Sequence, residues 1–189
     1  MTVKLVGSTS GSVSLQAPAS TTGGAHRVLT LPDVDGTVAT TTTAGKILQV
    51  VEGSTTTTVS TTSAGYIDTG LSQAITPLQT GSQILVIVSQ HVGFERYSTG
   101  NGASLKLLQD STVIYDPPQL YENYLYVGGG FMSLKLRAHL TYKHAHGKTA
   151  GTSTTYKIQG AMHQASNTPD LRFQGSGMRS SIVLMEIAS

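Results

Sequence analysis

The chain has 189 residues, enough for one domain with a sizeable core or a small domain carrying an arm. Charged residues are 12%, Gly is 21 residues, and Ser plus Thr make up about a quarter of the chain, a balance that favours strands and turns over helices. The twelve Lys and Arg are scattered and leave a net charge of +2, which argues against a nucleic-acid surface; the lack of cysteine excludes disulfides and thiolate metal sites; and the longest apolar run, Ile84 to Val88, is too short to enter a membrane as a spanning helix.

The opening Met1-Thr-Val-Lys-Leu-Val-Gly has no apolar h-region and does not read as a signal peptide. Residues 1–50 are expected to form an arm of very short strands. Val3, Leu5, Val13 and Leu15 alternate with small polar residues, and Pro18, Gly23-Gly24, Pro32 and Gly36 punctuate the segment. So few branched residues bury little area alone, so the arm should order against itself in an oligomer or against a partner surface. Lys46 to Val51 reads as one good strand at the join, and residues 51–62 as a Thr-rich connector.

Residues 63–189 read as a compact β head. The expected strands are Tyr66 to Thr69, Gln83 to Gly93, Ala103 to Gln109, Thr112 to Tyr115, Met132 to Tyr142, Thr154 to Gln159, Leu171 to Gln174 and Ser181 to Ile187. Met132 to Tyr142 alternates cleanly: Leu134, Leu136, Ala138, Leu140 and Tyr142 share a face opposite Ser133, Lys135, Arg137, His139 and Thr141. Ile84 to Val88 and Ile182 to Met185 are apolar on both faces, so they should lie mid-sheet or present one face to a neighbouring subunit. Strands at such spacing suggest an all-β sandwich or jelly roll. Pro117-Pro118 and Gly128 to Gly130 mark Tyr115 to Gly130 as a long loop holding half of all the tyrosines.

Three stretches carry a family resemblance in the first half: Leu5 to Ala19, Arg27 to Val38 with its Leu31-Pro-Asp-Val-Asp-Gly, and Gly45-Lys-Ile-Leu-Gln-Val-Val. Tyr66-Ile-Asp-Thr-Gly-Leu, Leu105-Lys-Leu-Leu-Gln-Asp, Tyr156-Lys-Ile-Gln-Gly, Phe173-Gln-Gly-Ser-Gly and Ser181-Ile-Val-Leu-Met-Glu-Ile extend it into the second. Together these segments resemble tail-fibre and other virion structural proteins of phages, particularly those of cyanobacterial and other aquatic hosts. The resemblance implies a trimeric, β-structured particle component, held to other virion proteins by residues 1–50, with a head facing outward to a host surface glycan or protein. It implies location in the virion, no cofactor and no catalytic residue. The chain is short for a fibre, which leaves a capsid decoration (cement) protein as the alternative and a small glycan-active enzyme as a more distant one.

The ten acids are spread singly. Asp110, Asp116 and Glu122 lie near one another in sequence but read as turn and surface residues rather than the facing carboxylates of a glycosidase. His144-Ala-His146 would put two imidazoles on one side of a strand, five residues after His139, and a trimer axis could gather such pairs around a metal. The plainer reading, exposed residues of the Gly-containing turn Lys143 to Lys148, is preferred, so no metal is expected. His26, His91 and His163 read as isolated packing or surface residues. Tyr121, Tyr124 and Tyr126 are the expected receptor-contact residues, because tyrosine offers rigid amphipathic area at little entropic cost.

Overall fold

The computed structural model describes residues 2–6, 12–16, 46–97, 101–117, 123–125, 131–163 and 171–189. The chain divides into two compact units, Met1–Thr42 and Thr43–Ser189. In the first, β1 (Thr2–Val6) and β2 (Ser12–Gln16) form an antiparallel ladder that sets Val3 opposite Leu15 and Leu5 opposite Val13. The four branched residues of the period-two pattern are therefore cross-strand partners.

The second unit is all β with two antiparallel sheets. One sheet is organised by β6 (Gln83–Tyr97), a strand of 15 residues. Along one edge it pairs for its whole length with β10 (Phe131–Ala145). Its other edge is shared end to end: β13 (Ser180–Ile187) covers Gln83 to Ser89, and β12 (Leu171–Phe173) covers Val92 to Phe94. Beyond them lie β3 (Ile47–Thr55) on β13 and β4 (Val59–Thr61) on β12. The second sheet runs β5 (Ile67–Ile75), β11 (Thr154–Met162), β7 (Asn101–Gln109) and β8 (Thr112–Tyr115), with β9 (Asn123–Leu125) also on β7.

Both sheets feed one apolar core. Ile84, Val86, Val88, Ile182 and Leu184 enter it from the first; Leu71, Leu107, Tyr156 and Ile158 enter it from the second. Each such side chain taken from water contributes about 1.5–3 kcal/mol. The closest approach is at Gly160 on β11, where a Cβ would lie 2.2 Å from Cζ of the buried Phe173 ring. Only glycine leaves that ring its place.

Two expectations are revised here. The segment expected to join arm and head is built into the first sheet, since β3 pairs along the whole of β13, and the compact units part between Thr42 and Thr43. The expected long loop at Tyr115 to Gly130 contains β9, because Asn101 to Ala103 offers an edge for it to pair with.

The shared edge of β6 has a gap at Gln90 and His91, and side chains fill it. Ser180 Oγ accepts the backbone N–H of His91 at 2.8 Å. Gln90 Nε2 donates to the His91 carbonyl and its Oε1 accepts from Thr69 Oγ1. The Gln174 amide completes the cluster when its nitrogen faces the Thr69 carbonyl, 3.0 Å away, and its oxygen faces Gln90 Nε2. Gln90, Gln174 and Ser180 are all buried, and satisfied amides of this kind fix the register of two strands that meet on one edge.

Candidate functional site

The outward face of the first sheet is built from the residues that alternate with the core. On β6 these are Leu85, Ile87, Ser89, His91 and Glu95; opposite them on β10 stand Lys143, Thr141, His139, Arg137 and Ser133. Register carries two rows across the sheet, Val50–Met185–Leu85–Lys143 and Glu52–Val183–Ile87–Thr141. The middle of this face is apolar, and Val50 and Ile87 are 54% and 38% exposed within the single chain. Both faces of Ile84 to Val88 and Ile182 to Met185 are thus accounted for: one lines the core and one looks outward.

Towards the far end of β6 the same face becomes cationic and hollow. The chain leaves β12, turns through a 3-10 segment at Gly175–Gly177 and passes over His91. Between this turn and β10 lies a small hollow of about 50 Å³ whose walls include Lys135, Arg172, Glu95 and Ser176. It adjoins a second hollow bordered by Arg137, Leu136 and Met178, and His91, Lys135, Gly175 and Ser176 line both. Arg137 Nη1 is oriented by the Arg179 carbonyl, 2.8 Å away, and by Ser89 Oγ. His91 is only 4% exposed, and its Nδ1 has no hydrogen-bond partner among the described residues. Burial, reinforced by the charges of Arg137 and Lys135, pushes its pKa below 6.5 and keeps the ring neutral at pH 7. Sequence reasoning took His91 for an isolated packing or surface residue. Its phase with Lys135 and Arg137 across the ladder became visible only with the register in hand.

The His144 and His146 pair is placed quite differently from an exposed turn or a metal site. His144 is half-buried near the end of β10, its ring stacked on Tyr142 and edge-on to Tyr156. Its Nε2 lies 2.9 Å from Gln109 Oε1, a pure acceptor, so this nitrogen carries the proton. Burial and the neighbouring His146 push its pKa down. His146 is 3% exposed; its Nδ1 accepts the Lys148 N–H at 3.0 Å, and its Nε2 faces Ser82 Oγ at 3.0 Å. The two rings therefore serve separate hydrogen-bond networks, and among the described residues no group of three or more His, Cys, Asp or Glu is arranged to hold a metal. The expectation of exposure fails because Gln109, Thr154 and Asp110 close over this turn. Gln109 Nε2 donates to the His146 carbonyl, and Asp110 takes bonds from Lys148, Thr154 and the Thr155 N–H. Those bonds, the one to Lys148 first, lower the Asp110 pKa.

Ser82, His146 and Glu186 form a hydrogen-bonded chain that the sequence did not suggest. Glu186 is fully buried on β13, and no cation pairs with it among the described residues. Its carboxylate accepts from Ser82 Oγ, Gln49 Nε2 and the backbone N–H groups of Leu78 and Gln79, all within 2.6–3.0 Å. Burial alone would raise its pKa, but these bonds outweigh burial and lower it. The order of the trio rules out serine activation. With Nδ1 accepting from Lys148, the ring proton sits on Nε2 and points at Ser82, whose own proton goes to Glu186 or to the Gln79 carbonyl. A ring that donates to the hydroxyl does not take its proton. The arrangement ties residues 76–82 to β13.

Tyr121 and Tyr126, expected to contact a receptor, lie outside the described residues, and Tyr124 is described for its backbone alone, opposite Gly102. Glu122 also lies outside them, while Asp116 pairs with Lys106 at 2.9 Å on the surface. No family model matches the chain, and no curated protein matches it.

Proposed function

We propose that the chain is a non-enzymatic structural protein of a tailed-phage particle. In this reading it is a homotrimeric, fibre-like component whose first unit, residues 1–42, engages other virion proteins and whose β-sandwich head meets the host surface. The observation that carries the assembly is the apolar outward row Val50–Met185–Leu85 with Ile87 and Val183 beside it. A surface of that kind on a charge-poor chain favours burial against further copies, and a closed ring buries it without leaving a free face. The segments quoted above for their resemblance to phage fibre proteins support the particle context.

The test has two parts. Light scattering of the purified protein should give three times 19.8 kDa, and replacing Ile87 and Val183 by Lys together should give folded monomer. Quantitative mass spectrometry of purified virions should find the chain at the low copy number of tail parts. A monodisperse native monomer would refute the assembly, and a copy number matching the capsid would move the protein to the capsid surface.

A further inference from the structure

The cationic hollow on the outward face is unlike the rest of the surface in three respects. Lys135 and Arg137 border it, and Glu95 is the one acid in its walls among the described residues. Elsewhere the described lysines and arginines are largely neutralised: Lys106 by Asp116, Lys148 by Asp110, Lys157 by Asp68 and Arg179 by Glu52. No carboxylate pairs with Lys135 or Arg137 among the described residues. His91, which lines both hollows, carries a buried Nδ1 without a hydrogen-bond partner among the described residues, a deficit that a ligand hydroxyl or carboxylate reaching it would relieve. Finally, its size and lining suit a sugar. The second of the two adjoining hollows, about 340 Å³, falls in the range of ordinary ligand pockets, and Leu136 and Met178 supply apolar wall beside the cations.

We propose that this cleft binds a carboxylate- or sulfate-bearing sugar of a surface polysaccharide, with Lys135 and Arg137 holding the acid group and His91 bonding a ring substituent. Charge and the unsatisfied nitrogen call for an anion with further polar groups. The choice of polysaccharide rests on the host-surface reading above. A single-stranded nucleic acid would need exposed rings on which to stack bases, and among the described residues the rings in the cleft wall, Phe94 and His91, are 2% and 4% exposed. Arg contributes planar two-pronged hydrogen bonds to carboxylate or sulfate.

Calorimetric titration of the full chain with oligogalacturonate, dextran sulfate, neutral dextran and a single-stranded oligonucleotide tests this. At least one of the two acidic glycans should bind, and neutral dextran should not. The double variant Lys135→Ala/Arg137→Ala should weaken that binding at least tenfold and make its salt dependence shallower. Both side chains are exposed, so the thermal melt should hold. His91→Gln should weaken binding several-fold. Arg179→Ala, which removes a cation paired with Glu52 outside the cleft, should leave binding unchanged and separates a built site from general charge. The proposal is overturned by no binding to either acidic glycan, by equal loss in Arg179→Ala, or by tighter binding of the oligonucleotide. Virion proteomics tests the particle reading separately: a virion component that ignores acidic glycans sinks the cleft alone, and a glycan binder absent from virions sinks the particle reading alone.

Discussion

Replacing Glu186 by Gln probes the buried carboxylate that stands without a cation. The amide keeps one oxygen but turns an NH2 toward Gln49 Nε2 and the Leu78 N–H, donors that lie 2.6 and 2.9 Å from Oε2 in the native chain. Gln49 can rotate its own oxygen inward, and the Leu78 N–H keeps its 3.0 Å bond to the other oxygen but meets the NH2 on its second branch. One weakened buried donor and the loss of the charged acceptor cost about 1–3 kcal/mol. For a chain of this size that lowers the melting temperature by roughly 2–12 °C. The pH dependence has a definite sign. The folded carboxyl titrates below its ordinary value of 4.5, so its contribution is complete above that value and is lost as pH falls through the lower folded value. Differential scanning calorimetry of Glu186→Gln and native protein between pH 3 and pH 7 should show a gap that is full at neutral pH and narrows below about pH 4. A variant that melts with the native protein at pH 7 would refute the reasoning, as would a gap of constant size down to pH 3.

Gly160→Ala should cost about 2–3 kcal/mol by forcing its methyl into the Phe173 ring, and Phe173→Leu in the same chain should recover part of that loss; additive effects in urea unfolding would show that the ring does not crowd this site. Deleting residues 1–42 should leave the melting transition of the remaining chain nearly unchanged, whereas deleting 1–55 removes β3 from β13 and should abolish cooperative melting; equal behaviour of the two truncations would refute the boundary at Thr42. Stoichiometric zinc or nickel should not raise the melting temperature, because His144 and His146 are each committed to hydrogen bonds, and a shift of several degrees would show that those networks open to take a metal.

Strand positions were legible because alternation reports a strand's two environments. Leu134 to Tyr142 lie towards the core with Lys135 to Thr141 outward, and the doubly apolar Ile84 to Val88 has its neighbours on both edges. What stayed hidden were the polar residues in phase with the core. Glu186 follows Ile182 and Leu184 at two-residue steps, and Gln90 follows Ile84, Val86 and Val88 in the same way. That phase is itself a signal of burial, but the partners that make burial tolerable come from residues 49, 78, 79 and 82 for the one and 69, 174 and 180 for the other. No local pattern joins such distant positions. The cleft was hidden for the same reason: Lys135 and Arg137 read as the wet face of a good strand, and Arg172 and His91 reach them only through the pairing of β12 and β10 with β6.

The place of β13 between β3 and β6 has a consequence for how the chain is made. The strand that closes the first sheet leaves the ribosome after every other strand described above, more than a hundred residues after β3. Until residues 180–187 emerge, β3 and β6 each hold an open edge, and the core positions of Ile182 and Leu184 are unfilled. Pairings this distant in sequence form slowly, and nascent chains with open apolar strands are prone to join one another. Translation pauses or premature stops before residues 180–187 are complete should therefore yield aggregates rather than truncated but soluble product.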